Sequence, residues 1–183
     1  MCANTKHRRS SEAGFTLVEL LIVVIILGIL AAIVVPQFGS STDDAKSSAL
    51  DTTLAHMRGA VDLYYQQHGD YPGENLSSGG AALPAGAVAG SGAAHDEQAF
   101  IDQLVYFSNL QGQTSTIKDT VYKYGPYLKS SVIPELPFTE DATVNIVFTG
   151  ALNHTGAAAP GAGGLFDTVS GQFIADHADY DDR

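Results

Sequence analysis

Residues 15–35 read FTLVELLIVVIILGILAAIVV, twenty-one consecutive positions with one ionisable side chain, Glu19. At about 1.5 Å per residue such a helix is roughly 31 Å long, the thickness of a bilayer's hydrocarbon core. A helix apolar on every side has little use in a small soluble core. The segment before it, MCANTKHRRSSEAG, sets Lys6, Arg8 and Arg9 against Glu12 and is basic. The positive-inside bias therefore places residue 1 in the cytoplasm and the C-terminal part across the membrane. A cleavable secretory signal has a shorter apolar core and a small-residue site after it, and neither fits here. A plain signal anchor fits the length and leaves Glu19 unexplained. A carboxylate at mid-span costs about 2.5–3.5 kcal/mol and less near the interface. Glu19 is accounted for by that interface or by a cationic partner.

Outward from this stretch, Gly28 and Pro36 interrupt the apolar run, and Pro36 removes a backbone donor, so a kink or local melting is expected there. Beyond it the helix resumes. Leu50, Leu54, Met57, Val61 and Tyr64 recur at helical spacing, with Asp51, Thr52, His56, Arg58, Asp62 and Gln66 opposite. This half is amphipathic, and its apolar stripe should pack on a C-terminal domain. The helix should stop at His68-Gly69-Asp70-Tyr71-Pro72-Gly73.

Composition narrows the function. The 183 residues carry 9 Lys+Arg against 20 Asp+Glu, net −11, which argues against a nucleic-acid binder. One cysteine, Cys2, excludes an internal disulfide and a Cys-rich zinc site. The six histidines fall in no H-E-x-x-H frame, and no G-x-S-x-G, P-loop or dinucleotide fingerprint occurs. The sequence offers no catalytic constellation, and an enzyme is not expected.

The motif Gly14-Phe15-Thr16-Leu17-Val18-Glu19 after a short basic leader resembles the signal of type IV pilins and type II secretion pseudopilins. The resemblance implies that a prepilin peptidase cuts after Gly14 and methylates the new terminus at Phe15. It also implies that Glu19 is the buried acid of assembly. Cleavage leaves an amine one turn from Glu19, and side-by-side packing lets the Glu19 of one subunit meet the Phe15 amine of its neighbour. An intramolecular pairing is the rival geometry. In a low dielectric an unpaired carboxylate is costly, so the pair would set axial register. Cys2 leaves with the leader. The stretches AVDLYYQQHGDYP and GPYLK, at 60–72 and 125–129, further resemble the major pseudopilin of type II secretion. His68 stands near where that family has an acid, and Phe138-Thr139-Glu140-Asp141 replaces its usual turn.

The expected class is α+β: a long N-terminal helix packed on a small antiparallel sheet, pilin-like. The expected segments are 1–14 leader, 15–35 transmembrane and filament-core helix, 36–68 amphipathic helix, and 69–183 periplasmic head. Within the head, residues 73–94 are Gly/Ala/Ser-rich and read as a mobile surface loop. A helix at about 96–109, capped by Asp96, presents Phe100, Leu104 and Phe107 on one face. Residues 144–148 read as a strand and 165–175 as a hairpin. No cofactor is certain. Asp167, Asp176 and Asp179, in an acidic tail, are candidates for calcium, which takes six to eight oxygens; the resemblance implies one such ion, and a solvated tail is the other reading.

The implied partners are copies of the chain in a homopolymeric filament, the prepilin peptidase, a cytoplasmic ATPase, the inner-membrane platform and minor pseudopilins. The first reading is a type II secretion pseudopilus subunit in the inner membrane. The second is a type IV pilin for adhesion, motility or DNA uptake. A monomeric membrane-anchored binding module, with Gly-rich loops framing a ligand, belongs to a different class.

Overall fold

The described residues of the computed structural model are 14–80, 82–129, 132–150, 152 and 163–176, without the side chains of 35–41. Residues 1–13 of the expected leader, with Cys2, and Asp179 lie outside them, as do most residues of the Gly/Ala-rich stretch 150–164. The chain divides into two units, Met1–Asp44 and Ala45–Arg183.

Helix α1 spans Leu17–His68. Its helical backbone runs unbroken through Gly28 and Pro36. In the first unit the window Leu17–Val34 is long and apolar enough to cross a membrane by length and composition, and none of it is buried by the protein. At its far end α1 is closed by Gly69, at φ 85°, whose N–H donates to the Tyr65 carbonyl at 2.8 Å. Only glycine enters that left-handed position without a Cβ penalty.

In the second unit the amphipathic stripe buries as its spacing predicts. Leu50, Leu54, Met57, Val61 and Tyr64 are at most 1% exposed. They pack with Phe100 and Leu104 of helix α2, Glu97–Val105, and with the aromatic residues of the C-terminal hairpin. Phe100 meets Phe166 at 4.7 Å between ring centroids and Phe173 at 6.2 Å. Burying each such side chain stabilises the fold by about 1.5–3 kcal/mol.

Helix α2 is shorter than its apolar spacing suggests. It ends at Val105, Asp96 occupies the N-cap without a side-chain bond, and Tyr106 is extended. Phe107–Ser108 instead forms β1, antiparallel to β2, Thr114–Ser115. Ser108 also exchanges backbone bonds with Tyr124 at 3.0 and 3.1 Å, which outcompetes another helical turn.

The second sheet has the order β3-β4-β5, from Val144–Val147, Gly164–Asp167 and Phe173–Ala175. The β4–β5 hairpin is antiparallel, as expected. β3 joins β4 in parallel register, Val144 opposite Gly164, so this sheet is mixed rather than antiparallel throughout. A parallel pair needs a connection of about a dozen residues or more, and residues 148–163 supply that length.

The loop 73–94 is not the free surface loop its composition suggests. Ser77 N–H donates to the Gly92 carbonyl and Thr114 N–H to the Ser77 carbonyl. Ala89 bridges Ser115, and Thr116 N–H reaches Val88. The loop folds against α2 and β2, and its small residues are what let it lie close. A Cβ on Gly92 would sit 2.0 Å from the Ala99 nitrogen.

Candidate functional site

The sequence places the site at the start of α1. Gly14 is exposed, and among the described residues a Cβ there would meet no atom within 4 Å. Phe15 is 82% exposed. Glu19 turns back on its own chain. Its Oε2 accepts the Thr16 N–H and the Thr16 hydroxyl, both at 2.8 Å, and the Glu19 N–H donates to Thr16 Oγ1 at 3.2 Å. This reciprocal capping box satisfies donors that would otherwise be left over at the helix start.

Thr16 and Glu19 stand at the T-x-x-E spacing of such a box, the signal in the sequence that marks Thr16 as the cap. The carboxylate expected to await a neighbour's amine is thus already hydrogen-bonded in the uncut single chain. Gly28 and Pro36 lie within the same helix, 9 and 17 residues beyond Glu19.

Of the residues offered for calcium, Asp167 and Asp176 are described and Asp179 lies outside the described residues. Asp167 is fully buried, but its carboxylate serves its own turn: Oδ1 accepts Val169 N–H at 3.0 Å and Oδ2 accepts the Ser170 hydroxyl at 3.0 Å. Asp176 is buried at the end of β5. No group of three or more His, Cys, Asp or Glu suited to a metal occurs among the described residues, so the ligand set calcium needs is not assembled there.

Asp102 is a buried polar site that sequence reasoning missed. It is 2% exposed on α2. Its Oδ2 accepts the Ser77 hydroxyl at 2.7 Å, Ser91 N–H at 2.9 Å and Gly92 N–H at 3.4 Å, while Oδ1 takes Gln98 Nε2 at 2.7 Å. This carboxylate fastens the Gly-rich loop to the core. Clefts of the head run along α1 instead, one lined by Arg58, Asp62 and the 171–174 segment, and another by His56, Met57, Leu128, Lys129 and the 132–135 segment.

Residues 9–35 match the profile of the prokaryotic N-terminal methylation motif. A fimbrial protein of Neisseria meningitidis is 43% identical over 68 residues, 37% of this chain and 40% of the relative. The type II secretion system core protein G of Pseudomonas aeruginosa is 43% identical over 65 residues, 36% of this chain and 46% of the relative. In both cases the chain spans less than half the length of the relative. The fimbrial protein EcpC of Eikenella corrodens is 32% identical over 115 residues, covering 60% of this chain and 75% of the relative. No solved structure matches significantly. With the methylation motif in place, the apolar helix behind it and three quarters of a fimbrial protein aligned, the chain belongs to the family of type IV pilins and type II secretion pseudopilins.

Proposed function

We propose that the chain is a structural subunit of a helical filament, made as a precursor that the prepilin peptidase cuts after Gly14 and N-methylates at Phe15. The observation that carries this reading is the apolar window Leu17–Val34, wholly uncovered by the rest of the protein and led by Gly14, Phe15 and Glu19. Before assembly a bilayer covers that surface, with residue 1 cytoplasmic and the head periplasmic. In the filament, the same helices of neighbouring subunits cover it. The role is mechanical, and no catalytic step is assigned to the chain.

In assembly, the Phe15 amine of a neighbour competes with Thr16 for the Glu19 carboxylate. The Thr16 donors are neutral, whereas the amine adds the attraction of opposite charges in a low dielectric, so exchange is favoured once the amine exists. Cleavage thus licenses the pairing, because before it Phe15 carries only an amide.

The filament is read as a type II secretion pseudopilus, assembled on an inner-membrane platform by a cytoplasmic ATPase together with minor pseudopilins. The AVDLYYQQHGDYP junction and the similarity to protein G favour it. A type IV pilus is the second reading, favoured by the longer alignment to a fimbrial protein. The test is Glu19→Ala expressed in cells with the peptidase, followed by N-terminal mass spectrometry and filament shearing. The expected product is cut, methylated at Phe15 and defective in filaments. Wild-type filaments from Glu19→Ala, or an intact Met1 in the wild type, would overturn the reading; the latter supports a monomeric anchored module. Loss of protein export rather than of surface adhesion or motility, on deleting the gene, separates the pseudopilus from the pilus.

A further inference from the structure

His68, the last residue of α1, lies among three tyrosines where a mere helix stop was expected. Its ring stacks on Tyr64 at 4.0 Å between centroids and 1° between planes. Tyr124 and Tyr127 meet it edge-on at 5.0 and 6.2 Å. Both ring nitrogens are engaged. Nδ1 lies 3.1 Å from the Tyr64 carbonyl, which can only accept, so Nδ1 carries the proton. Nε2 then accepts from the hydroxyl of the fully buried Ser108, 3.0 Å away on β1. The Tyr127 hydroxyl, 3.4 Å from Nδ1, donates to Gln67 Oε1 at 2.8 Å.

We propose that His68 is a proton-sensitive latch joining the end of α1 to β1 and the Tyr124–Tyr127 segment, closed while the imidazole is neutral and loosened by acid. A second proton turns Nε2 into a donor, so the Ser108 hydroxyl must turn to accept and direct its own proton elsewhere in a buried site, and it brings a charge into a half-buried aromatic site. The groups facing the ring are Tyr64 from α1, Ser108 from β1, the Asn109 backbone, and Tyr124 and Tyr127 from the segment beyond it. The nearby charges are Asp70, just past the helix, and Lys123, whose ammonium lies 5.1 Å from the Tyr124 ring centroid.

Burial is the largest influence and holds the His68 pKa below its ordinary value of 6.5, against the backbone hydrogen bonds of Tyr64 and Asn109 and the charge of Asp70. Burial also pushes Tyr64 well up and Tyr127 up to about 12, so neither supplies a compensating negative charge. The sign follows. An unfolded His68 binds its proton near 6.5 and the folded one less readily, so the latch is whole above that pH and weakens as pH falls below it. At one unit below, opening increases by at most about tenfold.

The test is hydrogen exchange on the full chain in detergent micelles, corrected for intrinsic rates, at the Ser108 and Tyr124 amides. These amides bond each other's carbonyls. Between pH 7.5 and 5.5 their protection is expected to fall several-fold, up to about tenfold, in the wild type and in His95→Gln, and to stay flat in His68→Gln. Unchanged protection in the wild type, or the same fall in His68→Gln, would overturn the latch. Should His68→Gln not fold, an NMR titration of wild-type His68 decides: an apparent pKa below 6.5 supports the proposal and one at or above it refutes it.

Discussion

Replacing Asp102 by Ala should free the 77–92 loop without unfolding the hairpin core. Four donors converge on this carboxylate, but they are not equally stranded by its loss. Gln98 is exposed and turns to water. Gly92 N–H keeps a second acceptor, Ser77 Oγ at 2.8 Å. The Ser77 hydroxyl and Ser91 N–H lose their main partner, the former retaining only the Gly92 carbonyl at 3.4 Å. Hydrogen bonds to a charged group contribute about 1.5–3 kcal/mol each, so the two together come to roughly 3–6 kcal/mol. Relief from burying the carboxylate offsets part of this, leaving about 2–4 kcal/mol.

Asp102→Asn discriminates the mechanism. Its carbonyl oxygen can take the place of Oδ2 and keep Ser77 and Ser91. Its amide then faces Gln98, whose own amide flips to present oxygen. The cost should be about 1 kcal/mol, the difference between charged and neutral acceptors. Since about 1.4 kcal/mol is a factor of ten, Ala should speed exchange at the Ser77 and Gly92 amides by roughly 30- to 1000-fold and Asn by less than tenfold. Hydrogen exchange on the full chain reads both. Ala and Asn falling within threefold of each other would refute the clip, as would acceleration centred on β4–β5 instead of the loop.

Gly171→Ala should destabilise the head by about 2–4 kcal/mol: φ is +73°, and the new Cβ would sit 2.2 Å from the Tyr71 ring, which stacks on Tyr65 at 4.4 Å. Thermal melting followed by near-ultraviolet tyrosine dichroism checks this, and a melting temperature within 1 °C or so of wild type would contradict it. Calcium, by contrast, should leave that melting temperature unchanged, because no group of three metal-binding side chains gathers among the described residues to replace its hydration shell. A calcium-dependent rise abolished by Asp179→Ala would mean that residues past 176 complete a site with Asp167 and Asp176.

What could be read from the sequence divides by the kind of physics involved. The apolar run at 15–35 and the stripe from Leu50 to Tyr64 are one-dimensional signals: solvent acts on each side chain nearly independently, and period and length report it. Phe107 shows where that logic fails. It continues the helical spacing of Phe100 and Leu104, but pairing of Ser108 with Tyr124 and Thr114 ends the helix first, and a competitor sixteen residues away leaves no trace in the local pattern. The parallel pairing of β3 with β4 is invisible for the same reason, whereas the β4–β5 hairpin carries its own turn.

The loop 73–94 was misread for a subtler cause. Low side-chain content does predict that hydrophobic burial cannot order a segment. Here backbone hydrogen bonds, the Asp102 carboxylate, the Gln103 amide and the Thr116 hydroxyl do the ordering, and glycine's lack of a side chain is what permits the approach. The signal available was Asp102 itself, an acid beside the buried positions Ala99, Phe100, Gln103 and Leu104, with no cation on its helix to pair with. An unpaired acid on an apolar face needs several donors, and a nearby segment rich in exposed backbone N–H groups is the economical source of them. Glu19 obeys the same rule with Thr16 at the other end of the chain. In both places the structure answers a lone carboxylate with hydroxyl and backbone donors from its own chain, and under the proposed processing a new amine at Phe15 would have to compete with Thr16 for Glu19.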